Sequence, residues 1–105
     1  MKENDFEIME DYVQGGAVRY TVKGRVNSIT APVLKSKLEE AIHNEQVNII
    51  LNMSQVEYLS SNGISAILNT YKQAENAGGK FGIEQPSEIV KNVLGMTALD
   101  KMLIV

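Results

Sequence analysis

The chain has 105 residues, 44% of them apolar and none a cysteine, so it can bury one packed core but can build neither a disulfide framework nor a thiolate metal site. A net charge of −3 gives no general attraction to phosphate backbones or anionic lipid surfaces and argues against nucleic acid as a partner. The opening "MKENDFEIMED" is acidic where a secretory leader would be basic and then apolar, and runs such as "MLIV" are too short to span a bilayer. The composition therefore predicts one domain over residues 1–105, in the cytoplasm, with no direct membrane insertion.

Phe6, Ile8 and Tyr12 alternate with acidic residues, and "VQGGAV" supplies two glycines suited to a tight reversal. Val18, Tyr20 and Val22 then alternate with Arg19, Thr21 and Lys23, which predicts a β-hairpin with one buried face. In "SITAPVLKSKLEEAIHNE" the period changes. Ala31, Leu34, Leu38, Ala41 and Ile42 recur at helical spacing, with Thr30 as the expected N-cap and Pro32 in the first turn, where its missing N–H costs nothing. "VNIILNM" is dense and β-branched, the pattern of a central strand covered on both faces.

A second helix is predicted from about Asn62 to about Ala77, with Ile64, Ile67, Leu68, Tyr71 and Ala74 on one stripe and Gly78 and Gly79 as its stop. "KFGIE" reads as a strand, and "PSEIVKNVLG" as a helix capped by Ser87 and ending at Gly95. "KMLIV" closes the chain as a last strand or a last helical turn. The order β-β-α-β-α-β-α with a short tail predicts an α/β fold: a mixed, mostly parallel sheet with helices packed on it through right-handed crossovers.

No catalytic constellation stands out. The only histidine, His43, falls near the end of the first helix beside Asn44 and Glu45, and one histidine without organised carboxylates makes no metal site. Glu39 and Glu40, with Lys35 four residues before Glu39, read as a solvated helix face. "AGGKFG" lacks the spacing of a phosphate loop and "LSSNG" lacks that of a serine nucleophile elbow. The scattered methionines suit core gaps better than any ligand. The reading is a protein without catalytic activity, metal or cofactor.

The stretch "YLSSNGISAIL" sets Ser60, Ser61, Asn62 and Gly63 between an apolar strand and an apolar helix. A serine there can simply cap the helix, a contribution of about 1 kcal/mol. The junction also lies just beyond the carboxyl end of a buried strand, where open α/β sheets place binding sites, and it is rich in donors. Such a patch suits the docking of a partner.

These residues carry a resemblance. "YLSSNGISAILNTYKQAENAGGKFGI" is similar to the core motif of the STAS domain family, in particular its small bacterial anti-sigma factor antagonists, in which an apolar pair precedes D-S-S/T-G-L/I, an apolar helix, a Gly-Gly stop and a strand. "VKGRVNSITAPVLKSKLEEAI" resembles the family's early G-x-apolar-D segment and first helix, and "VKNVLGMTALDKML" its closing segment. The resemblance implies the STAS fold and a regulator that sequesters an anti-sigma factor with serine kinase activity. The partner phosphorylates the antagonist to switch it off, and a serine phosphatase resets it. By motif position the acceptor is Ser61, and the partner-binding residues are Asn27, Ser28, Ser60, Ser61, Asn62, Gly63 and Ile64.

Two positions depart from the family. Asn27 and Ser60 stand where relatives carry aspartate, and the further terminal helix that relatives usually carry has no counterpart before Val105. A carboxylate roughly 5 Å from a phosphate would repel it by about 3 kcal/mol per unit charge at an effective dielectric of 20; with Ser60 that repulsion is absent. The same neutral positions fit an alternative, a STAS interaction module in a regulatory or transport-associated assembly that never receives phosphate. Nucleotide binding, a capacity of some relatives, is a third reading.

Overall fold

A computed structural model describes residues 6–105. The elements in chain order are β1 (Glu7–Tyr12), β2 (Val18–Val26), α1 (Ala31–His43), β3 (Asn48–Leu59), α2 (Ser61–Asn76), β4 (Lys80–Glu84), α3 (Glu88–Met96) and α4 (Asp100–Leu103). They form the mixed α/β architecture the sequence pattern predicts. The sheet order is β1-β2-β3-β4, with β1 antiparallel to β2 and the other neighbours parallel. Gly15 and Gly16 both take positive φ in the hairpin loop, and the Val13 N–H donates across it to the Ala17 carbonyl at 2.9 Å.

Alternation along β2 sends Val18, Tyr20 and Val22 to one face, beside Ile49, Leu51 and Met53 of β3 and Phe81 and Ile83 of β4. Leu34, Leu38, Ile67, Ala74, Val90, Leu94 and Leu103 from the helices join the same hydrophobic cluster. Fully burying such a side chain contributes about 1.5–3 kcal/mol, so this face supplies most of the driving force for folding.

The other face corrects the expectation of a β3 covered on both sides. Ile50 and Asn52 are only half-buried, and their row carries Arg19, Thr21 and Glu84. The Arg19 guanidinium donates to Asp11 at 2.7 Å and approaches Glu84 at 3.5 Å, while Asn52 donates to Glu84 at 3.4 Å. Ile50 is flanked in register by Arg19 and Gly82; the apolar run "NIIL" thus marks a strand with two sheet neighbours rather than two helical layers. An antiparallel first strand and one polar sheet face go together, because such sheets tolerate water on one side.

Four smaller expectations change. Thr30 precedes α1, but its side chain makes no cap bond to the helix. Tyr12 is 61% exposed, with its hydroxyl donating to Glu10, while Phe6 and Ile8 pack against the core. On α2 the fully buried residues are Gly63, Ala66, Ile67, Thr70 and Ala74; of the predicted stripe Ile64 and Tyr71 pack half-buried against the core, whereas Leu68 lies outside it. Gly95 lies inside α3 rather than ending it, because the positive φ of the stop falls on Ala98. The tail is both things the sequence allowed: α4 is one helical turn, and Ile104 then bridges Ile83 in parallel.

Candidate functional site

The parallel strands β2 and β3 end side by side, with Val26 opposite Leu59 in register. One backbone bond ties the two exits together: the Ser60 N–H donates to the Val26 carbonyl at 2.8 Å. The Asn27–Thr30 loop and the Ser60–Ile64 helix start are therefore neighbours at one end of the sheet.

Ser60 is the cap. Its backbone is extended, and its hydroxyl oxygen accepts from the Gly63 N–H at 3.2 Å, satisfying one of the free donors at the start of α2. Ser61 is the first residue of α2; it is exposed, and its hydroxyl has no hydrogen-bond partner among the described residues. Adjacent serines thus have different roles, one turned to the backbone and one offered to solvent.

Gly63 is buried. A Cβ at this position would lie 2.7 Å from Val26 Cγ1 and 2.8 Å from Leu59 Cδ1, so the absence of a side chain lets α2 start directly over the ends of β2 and β3. It shapes the surface from beneath. Asn62 and Ser28 are exposed, while Asn27, Ser60 and Ile64 are half-buried.

Asn27 organises the other loop. Its Oδ1 accepts from the N–H groups of Ile29 and Thr30, each at 3.0 Å, which folds the chain into a side-chain-closed turn before α1. Thr30 completes it by accepting from the Asn27 N–H at 2.9 Å and donating to the Arg25 carbonyl at 2.6 Å. The hydroxyl expected to cap α1 is spent on the loop instead. What the turn requires at position 27 is an acceptor oxygen, which an amide supplies as well as a carboxylate; Asn27 keeps the geometry and removes the charge.

Sequence reasoning missed the apolar and cationic part of this end. Ile29 is 75% exposed and Val33 51% exposed. On the sheet, Arg25 lies 4.6 Å from the centre of the Tyr58 ring, the two being register partners. Ile29 could have been found: it sits between Ser28 and Thr30, outside the helical stripe that begins at Ala31. Tyr and Arg are enriched at protein interfaces, and the exposed aliphatic side chains add apolar area beside them. Among the described residues no cluster of three His, Asp or Glu could hold a metal ion, and no helix is long and apolar enough to cross a membrane.

The fold and this end define an α/β domain with an exposed serine at the start of the helix that follows its central strand. The STAS domain family model matches residues 9–105, and the chain belongs to that family. It is 25% identical over 89 residues to the anti-sigma F factor antagonist of Paenibacillus polymyxa, covering 84% of this chain and 76% of that protein. A solved Thermotoga maritima protein assigned to the anti-sigma factor antagonists superposes with a TM-score of 0.84 at 26% identity, over 92% of this chain and 83% of the other. The antagonist SpoIIAA in its unphosphorylated form shares the fold, with a TM-score of 0.81 at 19% identity over 93% and 86% of the two chains. SpoIIAA from Bacillus has also been solved phosphorylated, and that form superposes with a TM-score of 0.75 at 18% identity.

Proposed function

We propose that the protein is an anti-sigma factor antagonist, a regulator without catalytic activity that binds an anti-sigma factor with serine kinase activity through the Asn27–Thr30 loop and the start of α2. Phosphorylation of Ser61 releases the partner, and a serine phosphatase restores the binding form. The observation that carries this reading is the division of labour between the two serines: Ser60 is committed to Gly63, whereas the exposed Ser61 hydroxyl has no partner among the described residues. Relatives named as antagonists of anti-sigma factors support the choice of partner.

Phosphate on Ser61 would add about −1.5 to −2 charges at neutral pH. A helix start tolerates an anion, by about 0.3–1 kcal/mol, so the modified chain remains folded while the uncharged docking surface becomes negative. Intact mass and peptide mapping of protein recovered from its host check this directly. We expect a phosphate that maps to Ser61, disappears in Ser61→Ala and persists in Ser60→Ala; labelling that survives Ser61→Ala would remove the assignment. Ser61→Asp should weaken binding of the anti-sigma factor.

The neutral Asn27 and Ser60 favour a second reading, a binding module that is never phosphorylated. It predicts no phosphate under any growth condition and an affinity unchanged by Ser61→Asp.

A further inference from the structure

Beside the start of α2, an open groove runs between α1 and α2. Its floor is made of small or aliphatic side chains, the buried Ala31 and Ala66 and the half-buried Leu68. Along one rim of α2 lie Asn62, Ser65, Asn69 and Lys72, and Lys35 of α1 stands on the opposite side. We propose that this groove receives an acidic helical segment of the anti-sigma factor. The inference rests on the antagonist reading for the partner's identity and on the groove alone for its chemistry.

Charge is the first argument. The chain carries 13 acidic and 10 basic residues, yet the groove is lined by two lysines and no carboxylate. Lys72 makes no ion pair among the described residues, and the ion pair of Lys35, to Glu39 at 4.0 Å, joins two side chains that are each about half exposed. Such an exposed pair holds its lysine weakly, and a partner carboxylate can replace Glu39. Asn62, Ser65 and Asn69 likewise have side chains without hydrogen-bond partners among the described residues, so the whole rim is available to donate.

Shape and continuity set the occupant. The stripe from Asn62 to Lys72 is about 15 Å long at roughly 1.5 Å per residue, which matches about three turns of a partner helix laid along it. Its upper end adjoins Ser61. Phosphate there would stand where the acidic segment enters, and like-charge repulsion would expel it. The neutral Asn27 and Ser60 fit the same arrangement, because an acidic partner is not repelled by them.

The test titrates the full chain, 15N-labelled and at low salt, with a 15-residue helical peptide of Ala, Leu and Glu that carries its glutamates on one face. The control peptide has lysine in place of glutamate. Expected are amide shifts confined to residues 31–35 and 62–72, binding that weakens with salt, and a drop of about tenfold or more in affinity for Lys35→Glu/Lys72→Glu. The exposed pair Lys91→Glu/Lys101→Glu should leave affinity within about twofold of wild type. Absence of shifts, shifts spread over all lysines, or equal binding of the lysine peptide would overturn the proposal. The same variants, assayed against the host's kinase-type anti-sigma factors, separate the two readings. A factor that binds wild type and Lys35→Glu/Lys72→Glu equally well sinks the groove and leaves the antagonist reading standing. If no such factor binds but the peptide result holds, the antagonist reading falls and the acidic specificity of the groove remains.

Discussion

At position 63 two physical effects oppose each other. Alanine is a better helix former than glycine by about 1 kcal/mol, so Gly63→Ala would stabilise α2 if the site were open. It is closed: the added carbon would sit 2.7 Å from Val26 and 2.8 Å from Leu59, both buried side chains at the ends of their strands. Overpacking of that kind costs about 1–3 kcal/mol. Gly63→Ala should therefore lower the urea midpoint, by a net cost of up to about 2 kcal/mol with the m-value unchanged; a raised midpoint would mean that Val26 and Leu59 move aside freely. At position 27, in contrast, the loop uses one oxygen and the charge of a carboxylate is dispensable for folding. This is why a departure from the family's acidic pattern leaves the turn intact.

The three longer helices end in the same way, with different residues in the strained position. After α2 the Gly78 N–H donates to the Glu75 carbonyl and the Gly79 N–H to that of Ala74, and the positive φ falls on Gly78. After α1 and α3 the same paired bonds form, but the positive φ falls on Glu45 and Ala98. In α3 the glycine lies three positions early, at Gly95, where a Cβ would meet no atom within 4 Å. Gly95→Ala should stabilise the protein by about 0.5–1 kcal/mol through helix propensity. Ala98→Gly should add about as much by relieving the left-handed backbone. In thermal unfolding each should raise Tm by about 4 °C. A fall in Tm for Gly95→Ala would show that position 95 is occupied by a contact other than solvent.

Across the whole molecule, the pH range of stability is set on opposite faces of the sheet. Burial pushes the Tyr20 phenol up to about 12, helped by Glu10 and Glu40, whereas in the unfolded chain it ionises near its ordinary value of about 10. Its contribution is complete below the unfolded value and disappears as pH rises through the folded one, a loss of about 2–3 kcal/mol. Wild type should thus lose stability steeply between pH ~10 and ~12 in urea melts, and Tyr20→Phe should show a shallower decline. Equal slopes would mean that the phenol reaches water. On the polar face, the Arg19 hydrogen bond holds the exposed Asp11 carboxyl below its usual range. Its small stabilisation is present above the unfolded value and fades as acid protonates it.

Much of this protein is local chemistry, and local chemistry is readable. A serine cap for α2, the start of α3 at Ser87 and the hairpin at Gly15 and Gly16 depend on side chains and backbone within a few residues, so the sequence alone determined them, while the structure chose Ser60 over Ser61 as the cap. So did the family motif around Ser61 and the alternation of β2 that turns Val18, Tyr20 and Val22 inward. Tertiary structure decided what depends on distant partners. The need for glycine at position 63 comes from Val26, a residue of another strand. The open face of β3 comes from Arg19 and Gly82 on the strands at either side, and the lysine-flanked groove from two helices that meet only in space. Periodicity reports which side of an element is apolar, because backbone geometry repeats along one chain; it carries no record of what stands opposite.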